Sequence, residues 1–229
     1  MTSNGHFRMN EKRLMTAACL ISLATPIICW FITLRFSGLP VWIPFVSDLQ
    51  SFEPAATLFP FGMTLSALML VMVIPGLHRN LRDYTNRMGV DGSYLPAVFS
   101  TFLFIAAFSS IIASHISWSE APLIHYVAAT VLFLTMICGG ALFEFVRSFG
   151  DFQRVNRLRF ATITMGMFLF FTLAVLSMSN LLLTQDVRYS GDLMERPLTM
   201  AIAAFIEWLL VADLSLMMLS MRSEFDSIQ

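Results

Sequence analysis

Six stretches of predominantly apolar residues dominate this chain, at 14–34, 55–77, 94–118, 122–146, 158–184 and 198–221. A helix needs about 20 such residues to cross a bilayer core about 30 Å thick. Backbone N–H and C=O groups in hydrocarbon must be satisfied within the segment, so each stretch is predicted to be a transmembrane helix. Composition agrees, since 57% of the 229 residues are hydrophobic and 13% are charged, against about 25% charged in a soluble domain. A soluble globule is excluded. The formal net charge of -1 leaves no basic surface for a run of nucleic-acid phosphates, so nucleic acid is excluded as a partner. The predicted fold is all-α: one six-helix membrane domain over residues 1–229, with no connection long enough to form a second domain. The run after Lys12 and Arg13 exceeds the roughly 7 to 15 residues of a signal-peptide core and reads as a retained first span.

Orientation follows from the basic residues, which concentrate in short cytosolic segments. Arg8, Lys12 and Arg13 precede the first span, Arg79, Arg82 and Arg87 follow the second, and Arg147, Arg154, Arg157 and Arg159 separate the fourth from the fifth. Arg222 lies in the tail. The opposite side holds Arg35, Arg188 and Arg196. This asymmetry predicts that both termini are cytosolic, and an even number of spans agrees. The cytosolic arginines Arg154, Arg157 and Arg159 read first as a topology signal and second as lipid-facing groups drawn to anionic headgroups, at about 1 kcal/mol per residue near the surface. Glu144 and Arg147, three apart at the end of the fourth span, read as an interfacial pair on one helix face.

The sixth span carries two acids, Glu207 and Asp213. Each costs about 2.5 to 3.5 kcal/mol near the bilayer centre, while ten Leu, Ile, Phe and Val residues return about 0.3 to 0.6 kcal/mol each. The helix therefore roughly breaks even and depends on its neighbours. Six residues apart at 100° per residue, the two acids point about 120° away from each other, so they form no carboxylate dyad. Glu207 is placed near mid-bilayer, facing the bundle interior without an embedded cation. It is expected to be protonated and hydrogen-bonded to a neighbouring helix, with a Ser or Thr as the partner type. A lipid, proton or ligand site is the functional alternative.

The loop at 36–54 contains Pro40, Trp42, Pro44, Asp48, Glu53 and Pro54, which predicts a rigid acidic cap over the extracytosolic helix ends. His115 ends the third span and His125 lies one turn into the fourth. Asp48, Glu53, His115 and His125 form the candidate extracytosolic cluster, with Asp48 to His125 as the expected pairing. A satisfied interfacial histidine is the leading reading there and a metal site the minor one. Cys19, Cys29 and Cys138 fall inside apolar runs and read as packing residues. Gly139 and Gly140 permit close helix approach. No nucleophile elbow, P-loop or zinc-binding histidine pair is present, so no catalytic residue, metal or cofactor is expected.

Four stretches resemble the Frag/DRAM/Sfk family, also described by its cell-wall-protein-like N-terminal domain. These are Pro40-Val-Trp-Ile-Pro-Phe-Val-Ser-Asp48 with Glu53-Pro54, Ala121-Pro-Leu-Ile-His125, the pair Glu207-Trp208, and the tail Ser223-Glu-Phe-Asp-Ser-Ile228, which is similar to the ending of the damage-regulated autophagy modulator branch. The chain departs from that pattern at Leu49-Gln50 and Tyr126. The resemblance implies a non-enzymatic protein of lysosome, endosome or plasma membrane. Its branches are connected with autophagy, phosphoinositide-kinase recruitment or remodelling of lipid anchors. The leading expectation is a multispan regulator whose partners are membrane lipids and other membrane proteins. A small transporter or channel using the intramembrane acids is second, and an enzyme modifying lipid anchors or headgroups is third.

Overall fold

The computed structural model describes residues 3–36, 43–90, 92–118, 120–150, 156–183 and 198–225. Among these residues are six long helices: α1 (Ser3–Phe36), α2 (Ala55–Arg87), α3 (Leu95–His115), α4 (Pro122–Gly150), α5 (Arg157–Leu183) and α6 (Leu198–Ser220). Each contains a stretch long and apolar enough to cross a membrane, and no strand occurs among the described residues. Among the described residues there are also two short 3-10 helices, one in the first loop (Val46–Ser51) and one continuing α6 into the tail (Met221–Phe225).

Local chemistry sets the helix limits. Pro122 opens α4 and Pro96 lies in the first turn of α3, where a missing N–H leaves nothing unpaired. The turn into α4 is held reciprocally: Glu120 N–H donates to Ser117 Oγ at 3.2 Å, and Ser117 N–H to a Glu120 carboxylate oxygen at 3.3 Å. This reciprocal Ser-x-x-Glu pairing has the hydrogen bonds of a capping box, set in the turn just ahead of the helix. After α2 the chain turns at Gly89, whose φ of 72° is in the left-handed region that glycine reaches without strain. Helix α2 runs ten residues past the expected limit at 77, because counting apolar residues detects only the lipid-embedded part. Its final turns bury Leu81 and Tyr84 and expose Arg82 and Arg87.

Neighbours in sequence pack side by side, and α6 closes the ring against α1, while α4 also touches α2 and α6. The principal core joins Met15, Leu77, Phe99, Leu103, Phe143, Leu210 and Met217, drawn from five of the helices. Phe31, Phe108, Phe168 and Phe171 point outward and are exposed, as lipid-facing side chains are. Close approach between helices uses small residues: Gly62 of α2 lies against Thr25 of α1, Gly140 of α4 against Met217, and Gly166 of α5 against Asp213. One end of the bundle, the loop face, carries the first loop and the turn between α3 and α4. The other, the termini face, carries the start of α1 and the 3-10 helix that follows α6.

Candidate functional site

Polar side chains gather at the two ends of the bundle. At the loop face the chain from Phe45 to Leu49 is wedged between helices rather than laid over them. Phe45 packs on Met200, Ala203 and Ala204 of α6, with Leu173 and Leu176 of α5 beside it. Val46 and Leu49 pack with Cys29 of α1, Ala55 and Phe59 of α2, and Trp208 of α6. The adjacent residues Glu207 and Trp208 hold the main chain of this wedge. Val46 N–H donates to Glu207 Oε2 at 2.8 Å, and Trp208 Nε1 donates to the carbonyl of Pro44 at 2.8 Å. Trp30 of α1 stacks obliquely on Trp208 at 5.8 Å between ring centroids. Glu207 thus accepts from a backbone N–H of the first loop, a partner type that the expectation of a Ser or Thr did not include. Glu207 sits beneath that loop rather than in a purely helical environment.

His125 is 4% exposed, and its Nδ1 lies 2.7 Å from the carbonyl of Ile116, the residue just after α3. A carbonyl only accepts, so Nδ1 carries the proton and donates. Gln50 Nε2 reaches the same carbonyl at 3.3 Å, and Trp118 and the imidazole form a T-shaped pair at 6.1 Å between centroids. From the first loop Gln50, two positions beyond Asp48, is hydrogen-bonded into this corner. Asp48 is half-buried, Glu53 is exposed, and His115 Nε2 lies 2.9 Å from Thr64 Oγ1 on α2. All four predicted cluster residues therefore lie at the loop face. Among the described residues, no three His, Cys, Asp or Glu side chains converge on one metal position. Trp42 lies outside the described residues.

Asp213 and Glu207 do serve separate places. Asp213 is 8% exposed and turns toward Gly166 of α5. Its Oδ2 is buried without a hydrogen-bond partner among the described residues.

The termini face holds a buried ion network that spacing along the sequence does not reveal. Arg159, in the first turn of α5, is 0% exposed. Its guanidinium lies 3.0 Å from Glu144 Oε2 and 2.6 Å from Glu224 Oε1. It also donates to the Ser220 hydroxyl and carbonyl and stacks 5.0 Å from the Phe143 ring centroid. Arg147 joins the same carboxylates, at 3.1 Å from Glu224 and 3.4 Å from Glu144. Tyr84 O–H donates to the other oxygen of Glu224 at 2.7 Å, and Asn80 Nδ2 to the Glu224 carbonyl at 3.2 Å. Two guanidiniums thus face two carboxylates, and the main-chain N–H of Asn156 adds a donor to Glu144.

The expectation that Arg159 faces lipid is therefore corrected. The helix turn that exposes Arg157, Leu158 and Phe160 points position 159 inward, where two buried carboxylates neutralise it. Arg157 is exposed as expected, and Arg154 lies outside the described residues. Glu224, Tyr84, Asn80 and Gln50 escape sequence reasoning because each is an ordinary polar residue near a span end. The one available signal was an acid, Glu224, following the last span on the side that carries most of the arginines. A second pair at this face, Glu11 with Arg79 at 2.6 Å, ties α1 to α2.

Residues 12–228 match the family model described as Frag1/DRAM/Sfk1/Cwh43P N-terminal domain. No curated protein and no solved structure matches the chain.

Proposed function

The chain belongs to the Frag1/DRAM/Sfk1/Cwh43P N-terminal domain family, and from that premise we propose that it is a non-enzymatic regulator of autophagy or membrane lipid. It is an integral multi-pass membrane protein. In the proposed topology the termini face lies in the cytosol and the loop face in a lumen or outside the cell. The proposed compartment is endolysosomal or plasma membrane, and the proposed partners are membrane lipids and other membrane proteins. One observation carries the reading: the charged and polar groups at both faces hold elements of the bundle to one another. Glu207 and Trp208 bind the first loop, and Arg159 joins α4, α5 and the tail. Groups used in this way suit a scaffold that works through contacts rather than turnover.

The test is deletion in the native cell, with measurement of autophagic flux and of the organelle occupied by a tagged chain at native expression. Re-expression should restore flux. A deletion that leaves flux and membrane lipid composition unchanged would sink the reading. A transporter is the second reading, favoured by the buried, unpartnered oxygen of Asp213. Proton flux into liposomes holding the wild-type chain, lost with Asp213→Asn, would favour it over the scaffold.

A further inference from the structure

We infer that the termini face is a receptor for a peptide segment in which a carboxylate precedes an aromatic ring, and that the chain's own tail fills it. Donors from three helices converge on Glu224: Arg147 of α4, Arg159 of α5, and Tyr84 and Asn80 of α2. Two guanidiniums meet one carboxylate oxygen and the Tyr84 hydroxyl meets the other, so both oxygens receive the strong hydrogen bonds that an ionised acceptor makes. Phe225 follows directly, 5% exposed, and inserts into the principal core. Arg222 and Ser223 are exposed beside them. The receptor therefore grips the Glu-Phe pair together with Met221, where the tail leaves α6.

Charge shows why the place must stay filled. With Glu224 withdrawn, Arg159, which has no exposed surface while the tail is seated, loses the nearer of its two carboxylates. Water is a poor substitute in so buried a position. A segment presenting the same two chemistries restores both the ion pairs and the apolar contact. Only the short 3-10 helix Met221–Phe225 has to leave, so the exchange is a local opening and not an unfolding of the bundle. The tail competes as a tethered ligand at an effective concentration on the order of millimolar. The segment that displaces it belongs to a cytosolic partner, a statement that rests on the topology proposed above. Binding in detergent does not depend on that topology.

The probe is a fluorescent peptide with the sequence of residues 221–229, titrated into the purified full-length chain. Wild type, with its tail seated, should bind it about a hundredfold more weakly than the full-length double variant Glu224→Ala/Phe225→Ala. A peptide with Ala in place of Glu or Phe should bind neither protein. A folded double variant that ignores the native peptide, or equal binding by both proteins, would overturn the inference. If the double variant does not fold, Glu224→Gln keeps the tail's shape while removing its charge. Restoration of its thermal stability by the native peptide supports the receptor, and no restoration refutes it. Binding in detergent with none to cytosol-facing vesicles would point to a wrong topology and leave the receptor intact.

Discussion

Arg159 and Glu144 stand on different helices, with Arg159 Nη1 3.0 Å from Glu144 Oε2 and neither side chain more than 7% exposed. Removing one partner of such a pair leaves the other charged and buried, which costs about 3 to 5 kcal/mol. Arg159→Ala should lower thermal stability by that order in a detergent melt. Arg157→Ala, two residues away and exposed, should change it by less than about 0.5 kcal/mol. Equal, small effects of the two substitutions would return Arg159 to the lipid-facing role.

Glu207→Gln keeps an oxygen able to accept from Val46 N–H, whereas Glu207→Leu leaves that N–H buried without this acceptor. An orphaned buried donor costs about 1 to 3 kcal/mol. The Gln variant should melt close to wild type and the Leu variant clearly below it. Protease cleavage in the first loop should rise with Leu alone. Indistinguishable melting of the two would show that the carboxylate does not anchor the loop.

Two glycines offer a comparison of rigid with flexible neighbours. A Cβ at Gly62 would collide with the branched side chain of Thr25, and one at Gly140 with the sulfur of Met217. Threonine has few rotamers with which to retreat, while methionine has three rotatable bonds. Gly62→Ala should cost about 1 to 3 kcal/mol, more than Gly140→Ala. Thr25→Ala should relieve the first non-additively in a double-mutant cycle.

Topology is open to single-cysteine labelling. Cys19 and Cys29 are buried and Cys138 is half-buried, so all three are replaced first. Gln50 is 8% exposed and makes a poor labelling site, but Glu53 and Arg87 are exposed at opposite faces. A cysteine at Arg87 should react with impermeant reagent from the cytosol and one at Glu53 from the other side. The reverse pattern would invert the proposed orientation.

How far the sequence could be read depends on the range of the physics involved. Spans are local: about 20 apolar residues in a row suffice, and all six helices follow from that count. The divergence of Glu207 and Asp213 is local too, being a matter of helical angle. Partner identity is not local. Val46 and Glu207 are 161 positions apart, and the donor is a backbone N–H that every non-proline residue possesses, so no residue type marks it. Arg159 shows the same limit, because a basic residue at a span end reads as a topology signal whichever way its helix is turned. Gln50 shows the limit at shorter range, because an amide in a loop carries no mark of the carbonyl it will reach, here that of Ile116.

The clamp on the first loop sets an order of events during synthesis. Val46 leaves the ribosome 161 residues ahead of Glu207, an interval of roughly 8 to 30 s at about 5 to 20 residues per second. For that time the loop has no anchor from α6, and Arg159 likewise waits for Glu224. Helix α6, whose own insertion roughly breaks even, closes both ends of the bundle as it arrives. A chain stopped short of it exposes an unlatched loop at one end of the bundle and, at the other, an arginine lacking one of its two carboxylates. Both are marks by which an unfinished product differs from a finished one.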